Sequence, residues 1–217
     1  GARPPFRKLS KVAAIALAVI VLAGAMIWSI AFVNGVYGSE HTWVTFARWI
    51  YANVPNGVCI AYEHWDDRMP TDIPEPGGNA GAHRYFQPQL PMYDDDTPQK
   101  YELLRSTLMN CDYIALASNR LWRTIPRLPE RYPMSSRYYE ALFSENNELG
   151  FEQIYTVETP PRLGPFRFDD QAADESFTVY DHPKPILFKK TRQLSAAEWD
   201  AILGNTWQGA IPGYVGR

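Results

Sequence analysis

The stretch "CIAYEHWDDRMP" at residues 59–70 ends an apolar run abruptly in Glu63, His64, Trp65, Asp66 and Asp67. Three carboxylates and an imidazole within five positions suit three kinds of chemistry. Carboxylate oxygens with one imidazole bind a divalent cation. A carboxyl in a half-buried setting has its pKa raised and works as a general acid or base. A solvated acidic loop does neither, and residue types alone leave the three open. A metal ion needs ligands converging from separate segments, whereas His83 and His182 stand isolated. The nucleophile templates are missing: there is no G-x-S-x-G elbow and no H-E-x-x-H helix. "PGGNAG" at 76–81 neither follows a strand nor opens a helix, so it reads as a flexible loop rather than a phosphate cradle. No catalytic residue, metal or cofactor is therefore assigned.

A second distinctive stretch, "SNRLWRTIPRLPERYPMSSRYYEALF", carries Arg120, Arg123, Arg127, Arg131 and Arg137 among prolines and aromatics. Such a run is either a basic surface for phosphate or lipid headgroups or an irregular crossover pinned by arginine bonds to carbonyls and acidic loops. The second reading is adopted. The acidic run Asp94–Asp96 complements a helix N-terminus. Thirteen Tyr and seven Trp offer faces suited to sugar stacking, although most must fill the core of a small domain.

Which elements carry these residues follows from periodicity. Trp43, Phe46, Ala47, Ile50 and Val54 recur at helical spacing, and "PNG" ends that helix before the apolar strand "VCIAYE". Residues 68–93 are rich in Pro and Gly and read as a long loop. A helix opened by Thr97 and Pro98, with Tyr101, Leu104 and Leu108 on one face, leads to the strand "DYIALAS". A third helix, "SSRYYEALFSENNELG", leads to "FEQIYTVET", and "SFTVYDH" and "PILFKKT" read as a closing pair of strands. Ser195 and Glu198 form a capping box for a last short helix. Repeated helix–strand units predict an α/β fold: a small three-layer domain with a largely parallel sheet and an antiparallel edge. Ligands of such sheets gather beyond the carboxyl ends of the strands. The segments leaving those ends are Glu63–Asp67, Ser118–Arg120 and Glu158–Thr159, with loops 68–93 and 160–175 beside them. The ligand-facing candidates are thus Glu63, His64, Asp66, Asp67, Ser118, Asn119 and Arg120.

Ahead of this domain, residues 12–33 run for 22 positions without a charge, enough to cross about 30 Å of hydrocarbon. Arg3, Arg7, Lys8 and Lys11 precede them without an acid, which places the N-terminus on the cytoplasmic side. The run is longer than the apolar core of a signal peptide, and "NGVYGSEH" offers no small-residue cleavage site. The expected organisation is a basic cytoplasmic arm (1–11), a transmembrane helix (12–36) and an extracytoplasmic domain (37–217), a single-pass protein of the cell membrane. Without the arm's four cations, 17 of the 21 basic residues remain against 24 acidic ones, a balance that argues against nucleic acid. Cys59 and Cys111 both fall at strand positions, where a buried thiol and a disulfide are alternatives.

The strings "ARWIYANVPNG…EHWDDRMP", "DYIALASNRLWRTIPRLPERYPMSSRYYEALFS…ELGFE" and "DDQAADESFTVYDHPKPILFKK" resemble the C-terminal extramembrane region of multi-pass bacterial family 39-like glycosyltransferases. These are akin to the protein O-mannosyltransferases and to the YYY-type membrane proteins. The resemblance covers nearly all of 39–191. It implies a protein of the GT-C type using polyprenyl-phosphate-linked sugars, with the bilayer, a multi-pass membrane protein and a polyprenyl-phosphate sugar or glycan acceptor as partners. In that family the catalytic acid lies in an early loop between the first membrane helices, which this chain lacks, so no catalytic residue carries over. The expected role is an accessory domain for acceptor recognition or for covering an active site. The alternative is a structural or interaction subunit of a larger membrane complex.

Overall fold

The computed structural model describes residues 5–75, 78–80 and 84–213. Arg3, His83 and the ends of "PGGNAG" (Pro76, Gly77 and Gly81) lie outside them. The chain divides into two compact units, Gly1–Glu40 with Thr159–Ala172, and His41–Glu158 with Ala173–Arg217.

In the first unit, helix α1 (Pro5–Phe32) continues into one π-helical turn, Val33–Tyr37. Among the described residues it is the one helix long and apolar enough to cross a membrane. From Lys11 to Ile30 its side chains stand mostly in the open, Leu22 at 69% exposure, unlike the mostly buried core helix of a soluble fold.

The second unit is built on a five-stranded sheet. Helix α2 (Thr42–Asn53) is followed by β1 (Ile60–Glu63), the hairpin β2 (Ile73–Glu75) and β3 (Gly78–Ala80), and β4 (Gln89–Leu90). Then come α3 (Pro98–Asn110), β5 (Tyr113–Leu116), α4 (Arg120–Thr124) and α5 (Pro133–Leu142). The order closes with β6 (Phe151–Thr156), α6 (Glu175–Thr178), β9 (Ile186–Lys190) and α7 (Ala196–Ile202), the pair β7 (Arg162–Leu163) and β8 (Phe166–Arg167) belonging to the first unit. The sheet order is β4-β1-β5-β9-β6. β1 is parallel to β4 and β5, while β9 runs antiparallel to both its neighbours. The mixed, mostly parallel α/β sheet therefore stands, with its antiparallel member one place in from the edge.

Strand alternation sorts the core into two layers. Ile60, Tyr113, Ala115 and Leu187 meet Phe46 and Ile50 of α2 and Val54 just after it on one face. Ala61, Ile114, Leu116, Ile186 and Phe188 meet α3, α5 and α7 through Leu104, Leu108, Tyr138, Leu142 and Trp199 on the other. Thr97 caps α3 by accepting from Lys100 N, and the Ser195–Glu198 capping box is complete.

Three local readings change, the first being that the helix expected over "SSRYYEALFSENNELG" spans only Pro133–Leu142. The expected loop 68–93 contains a hairpin and the strand β4, too short to show a hydrophobic period. "SFTVYDH", expected as a strand, opens instead as α6, because Asp174 accepts from Ser176 N and starts a helical turn in spite of the β-branched residues. Cys59 and Cys111 are joined in a disulfide at the start of β1 and β5.

Candidate functional site

β1 and β5 are parallel neighbours, so the chain leaves both at one edge of the sheet. That topology brings Glu63–Asp67 and Ser118–Arg120 together. Asp66 is the junction: Ser118 Oγ donates a short hydrogen bond to its Oδ2. Arg120 Nε lies 3.0 Å from Oδ1, an ion pair whose N–H is not aligned as a hydrogen bond. Arg120 N also donates to Ser118 Oγ at 3.1 Å, so the serine hydroxyl both accepts from the first N–H of α4 and orients the carboxylate. The Arg120 guanidinium lies 5.3 Å from the ring centre of Tyr180, which limits its freedom further. Asn119 turns inward, and its Nδ2 donates to Thr178 Oγ1 of α6 at 3.2 Å.

The other candidates divide by depth. Glu63 is buried, as the alternation from Ala61 dictates, and accepts a 2.6 Å hydrogen bond from the Tyr139 hydroxyl of α5. Burial drives its pKa up to about 8, against the lowering effect of the Tyr139 bond and with the Asp66 charge adding to the rise. Tyr138 is equally buried, and its hydroxyl has no hydrogen-bond partner among the described residues. His64 is half-buried, with Nδ1 3.1 Å from Leu90 O, and Asp67 is exposed. Glu158 does not join the group; it is ion-paired with Lys184.

Trp65 is the outward feature. Its φ is +88°, a region costly for a bulky L-residue, yet its side chain is 67% exposed. The indole stands edge-on to Tyr93, with centroids 5.4 Å apart, and to His64 at 6.1 Å. A flat aromatic face is thereby held beside the Asp66–Arg120 pair and the exposed Asp67.

Glu63 and Asp66 are two carboxyls in contrasting settings, the usual requirement for acid–base work. Glu63, however, faces the core and cannot reach a bound molecule. Among the described residues no group of three or more His, Cys, Asp or Glu is arranged to hold a metal ion. Two concavities among the described residues lie elsewhere, about 320 Å³ between the end of α5 and β6, and about 330 Å³ beside Arg105 and Met109 of α3. The edge presents an exposed aromatic face beside an exposed carboxylate, groups that can stack on and hydrogen-bond a polar molecule.

The arginine-rich crossover is pinned as expected. Arg120 pairs with Asp66, Arg131 with Asp95 at 2.9 Å, and Arg137 with Glu148. Asp96 accepts from Met134 N and Ser135 N at the start of α5, so the acidic run does complement a helix N-terminus. Sequence reasoning missed Tyr139, Tyr93, Tyr180 and Thr178. One signal was available for Tyr139: adjacent tyrosines on an apolar helix bring buried hydroxyls that need acceptors. The chain matches no protein-family profile, no curated protein and no solved structure.

Proposed function

We propose that the chain is a membrane-anchored extracytoplasmic accessory domain of a glycosyltransferase-like membrane protein, recognising the glycan acceptor without catalysing transfer alone. The observation that carries this reading is Trp65, an exposed indole held at φ +88° beside Asp66 and Asp67. An aromatic face stacks on the C–H face of a sugar ring, and neighbouring carboxylates accept its hydroxyl protons. Backbone strain of this kind is retained where the surroundings enforce a functional geometry. The Cys59–Cys111 bond supports an oxidising compartment for this domain, and the basic residues ahead of the apolar run support a cytoplasmic N-terminus.

Binding of immobilised oligosaccharides by the full chain in detergent tests the reading. Binding that disappears in Trp65→Ala and persists in Trp49→Phe is expected. Turnover of a polyprenyl-phosphate sugar by this chain alone would sink the non-catalytic role.

One observation favours the interaction-subunit alternative. A side chain added at Gly24 would meet nothing within 4 Å, so Ala18, Gly24 and Ala25 leave a face of α1 open to close helix approach. Mild-detergent purification separates the two. Recovery with a multi-pass partner lacking sugar-transfer residues, and no glycan binding, would favour the subunit.

A further inference from the structure

The first unit contains, besides α1, a small hairpin of β7 (Arg162–Leu163) and β8 (Phe166–Arg167). Gly164 at φ +58° followed by Pro165, whose ring fixes a negative φ, gives the sign pattern of a primed hairpin turn. Arg162 pairs directly opposite Arg167, and Leu163 opposite Phe166. Directly opposed residues share a face, so the two arginines lie on one side of the ribbon and Leu163 with Phe166 on the other.

Three features are costly if this ribbon stands in water. Two arginines at directly opposed positions repel. Arg167 is exposed, and its guanidinium makes no hydrogen bond or ion pair with any described residue. Phe166 is 69% exposed at the tip. All three become favourable against a phospholipid surface, where a phosphate bridges the guanidinium groups and the aromatic ring enters the acyl border.

The position of the hairpin along α1 points the same way. Arg162 Nε donates to Asn34 O at 3.4 Å, just beyond the apolar run. Phe168, following β8, packs edge-on to Trp28 with centroids 5.9 Å apart. Trp28 precedes Asn34 by six residues, or about 9 Å of helix rise, so the returning strand reaches a level inside the apolar run. Phe32 and Tyr37, edge-on at 5.5 Å, complete an aromatic group at this end of the helix. Trp and Tyr gather at that depth in membrane proteins because their rings suit the headgroup boundary. Gly35 secures the arrangement, since a Cβ there would run into the Pro160 carbonyl and displace the base of the hairpin.

We propose that the Arg162–Arg167 hairpin is a phospholipid-headgroup site: Arg162 and Arg167 bind lipid phosphate while Phe166 inserts at the acyl border beside the C-terminal end of α1. This rests on α1 crossing the bilayer, and the experiment separates the two claims. The native cysteines are joined, so a single added cysteine is the one labelling position. The full chain is reconstituted in phosphatidylcholine–phosphatidylglycerol vesicles with a spin label at Pro165→Cys, Ile20→Cys or Glu152→Cys. Collision with oxygen is then compared with collision with a water-soluble nickel complex. The expected oxygen-to-nickel ratio is several-fold higher at 165 than at 152, and highest at 20. Phe166→Asp, and separately Arg162→Gln with Arg167→Gln, should return the label at 165 to the value at 152. A label at 20 inside the bilayer with 165 in water overturns the headgroup site alone. An unchanged depth at 165 in the arginine variant overturns the phosphate contact, and a label at 20 in water removes the membrane reading itself.

Discussion

The Tyr139 hydroxyl, carried on α5, donates a 2.6 Å hydrogen bond to Oε1 of Glu63 at the end of β1, with both side chains buried. The contact joins a helix to the sheet at the edge where the candidate site is built. Burial of the Glu63 carboxyl, which the contact only partly offsets, makes the fold sensitive to pH. Glu63 has its pKa raised from 4.5 to about 8 by burial. Between those values the folded chain binds more protons than the unfolded one. The stability contributed by the neutral carboxyl is therefore fully present below about pH 4.5 and is lost as pH rises through about 8. Urea denaturation should report a fall of a few kcal/mol across that window. Glu63→Gln, which keeps the shape and cannot ionise, should flatten this part of the profile. Tyr139→Phe should move its alkaline end upward, because the bond it removes favours the carboxylate.

Trp65 offers a separation of stability from recognition. Its φ of +88° is one that glycine adopts freely and alanine does not. Trp65→Gly and Trp65→Ala both remove the indole, so both should lose oligosaccharide binding. The glycine variant should be the more stable of the two by about 1 kcal/mol. Equal stability by thermal denaturation would show that the loop relaxes and that Trp65 is not held under strain.

Asp66 and Arg120 should be strongly coupled. Their side chains are 10% and 15% exposed, so removing one leaves the other poorly solvated. Arg120→Ala is expected to cost about 3 kcal/mol. Asp66→Asn should cost less, since the amide oxygen still accepts from Ser118. A double-mutant cycle over the two positions should return a coupling of about 1–3 kcal/mol, while a cycle pairing Arg120 with the distant Glu198 should return none.

How much of this was legible in the sequence depended on whether one segment held the whole signal. The helix opened by Thr97, the capping box at Ser195 and the apolar strands "VCIAYE" and "DYIALAS" carry their evidence locally, and each formed as read. The meeting of Asp66 with Ser118 and Arg120 was readable as well, because parallel strands must deliver their exits to one edge. β4 was hidden because its two residues have no period, and its pairing with Tyr62 and Glu63 is long-range. Lys100 was the least legible. Its ammonium is buried and donates to Met92 O, Asp94 O, Asp96 Oδ1 and Ser135 Oγ, four partners that only the folded chain assembles. Glu63, expected to face a ligand, turns inward instead, and its partner Tyr139 lies 76 residues away.

The disulfide between Cys59 and Cys111 acts at the opposite end of the same two strands. It closes a separation of 52 residues, and the entropy it removes from the unfolded chain is worth about 4 kcal/mol. Cys59→Ala with Cys111→Ala should lower the unfolding free energy by about that amount. Reductant should bring the native chain down to the same level and leave the double variant unchanged. Because Asp66 and Trp65 follow β1 while Cys59 precedes it, oligosaccharide binding by the folded variant should be preserved. If reduction leaves the native chain's denaturation midpoint where it was, the parallel pairing of β1 with β5 holds this end without the covalent bond. A loss of binding in a variant that still denatures cooperatively would instead mean that the bond sets the register of the two strands on which Asp66 meets Arg120.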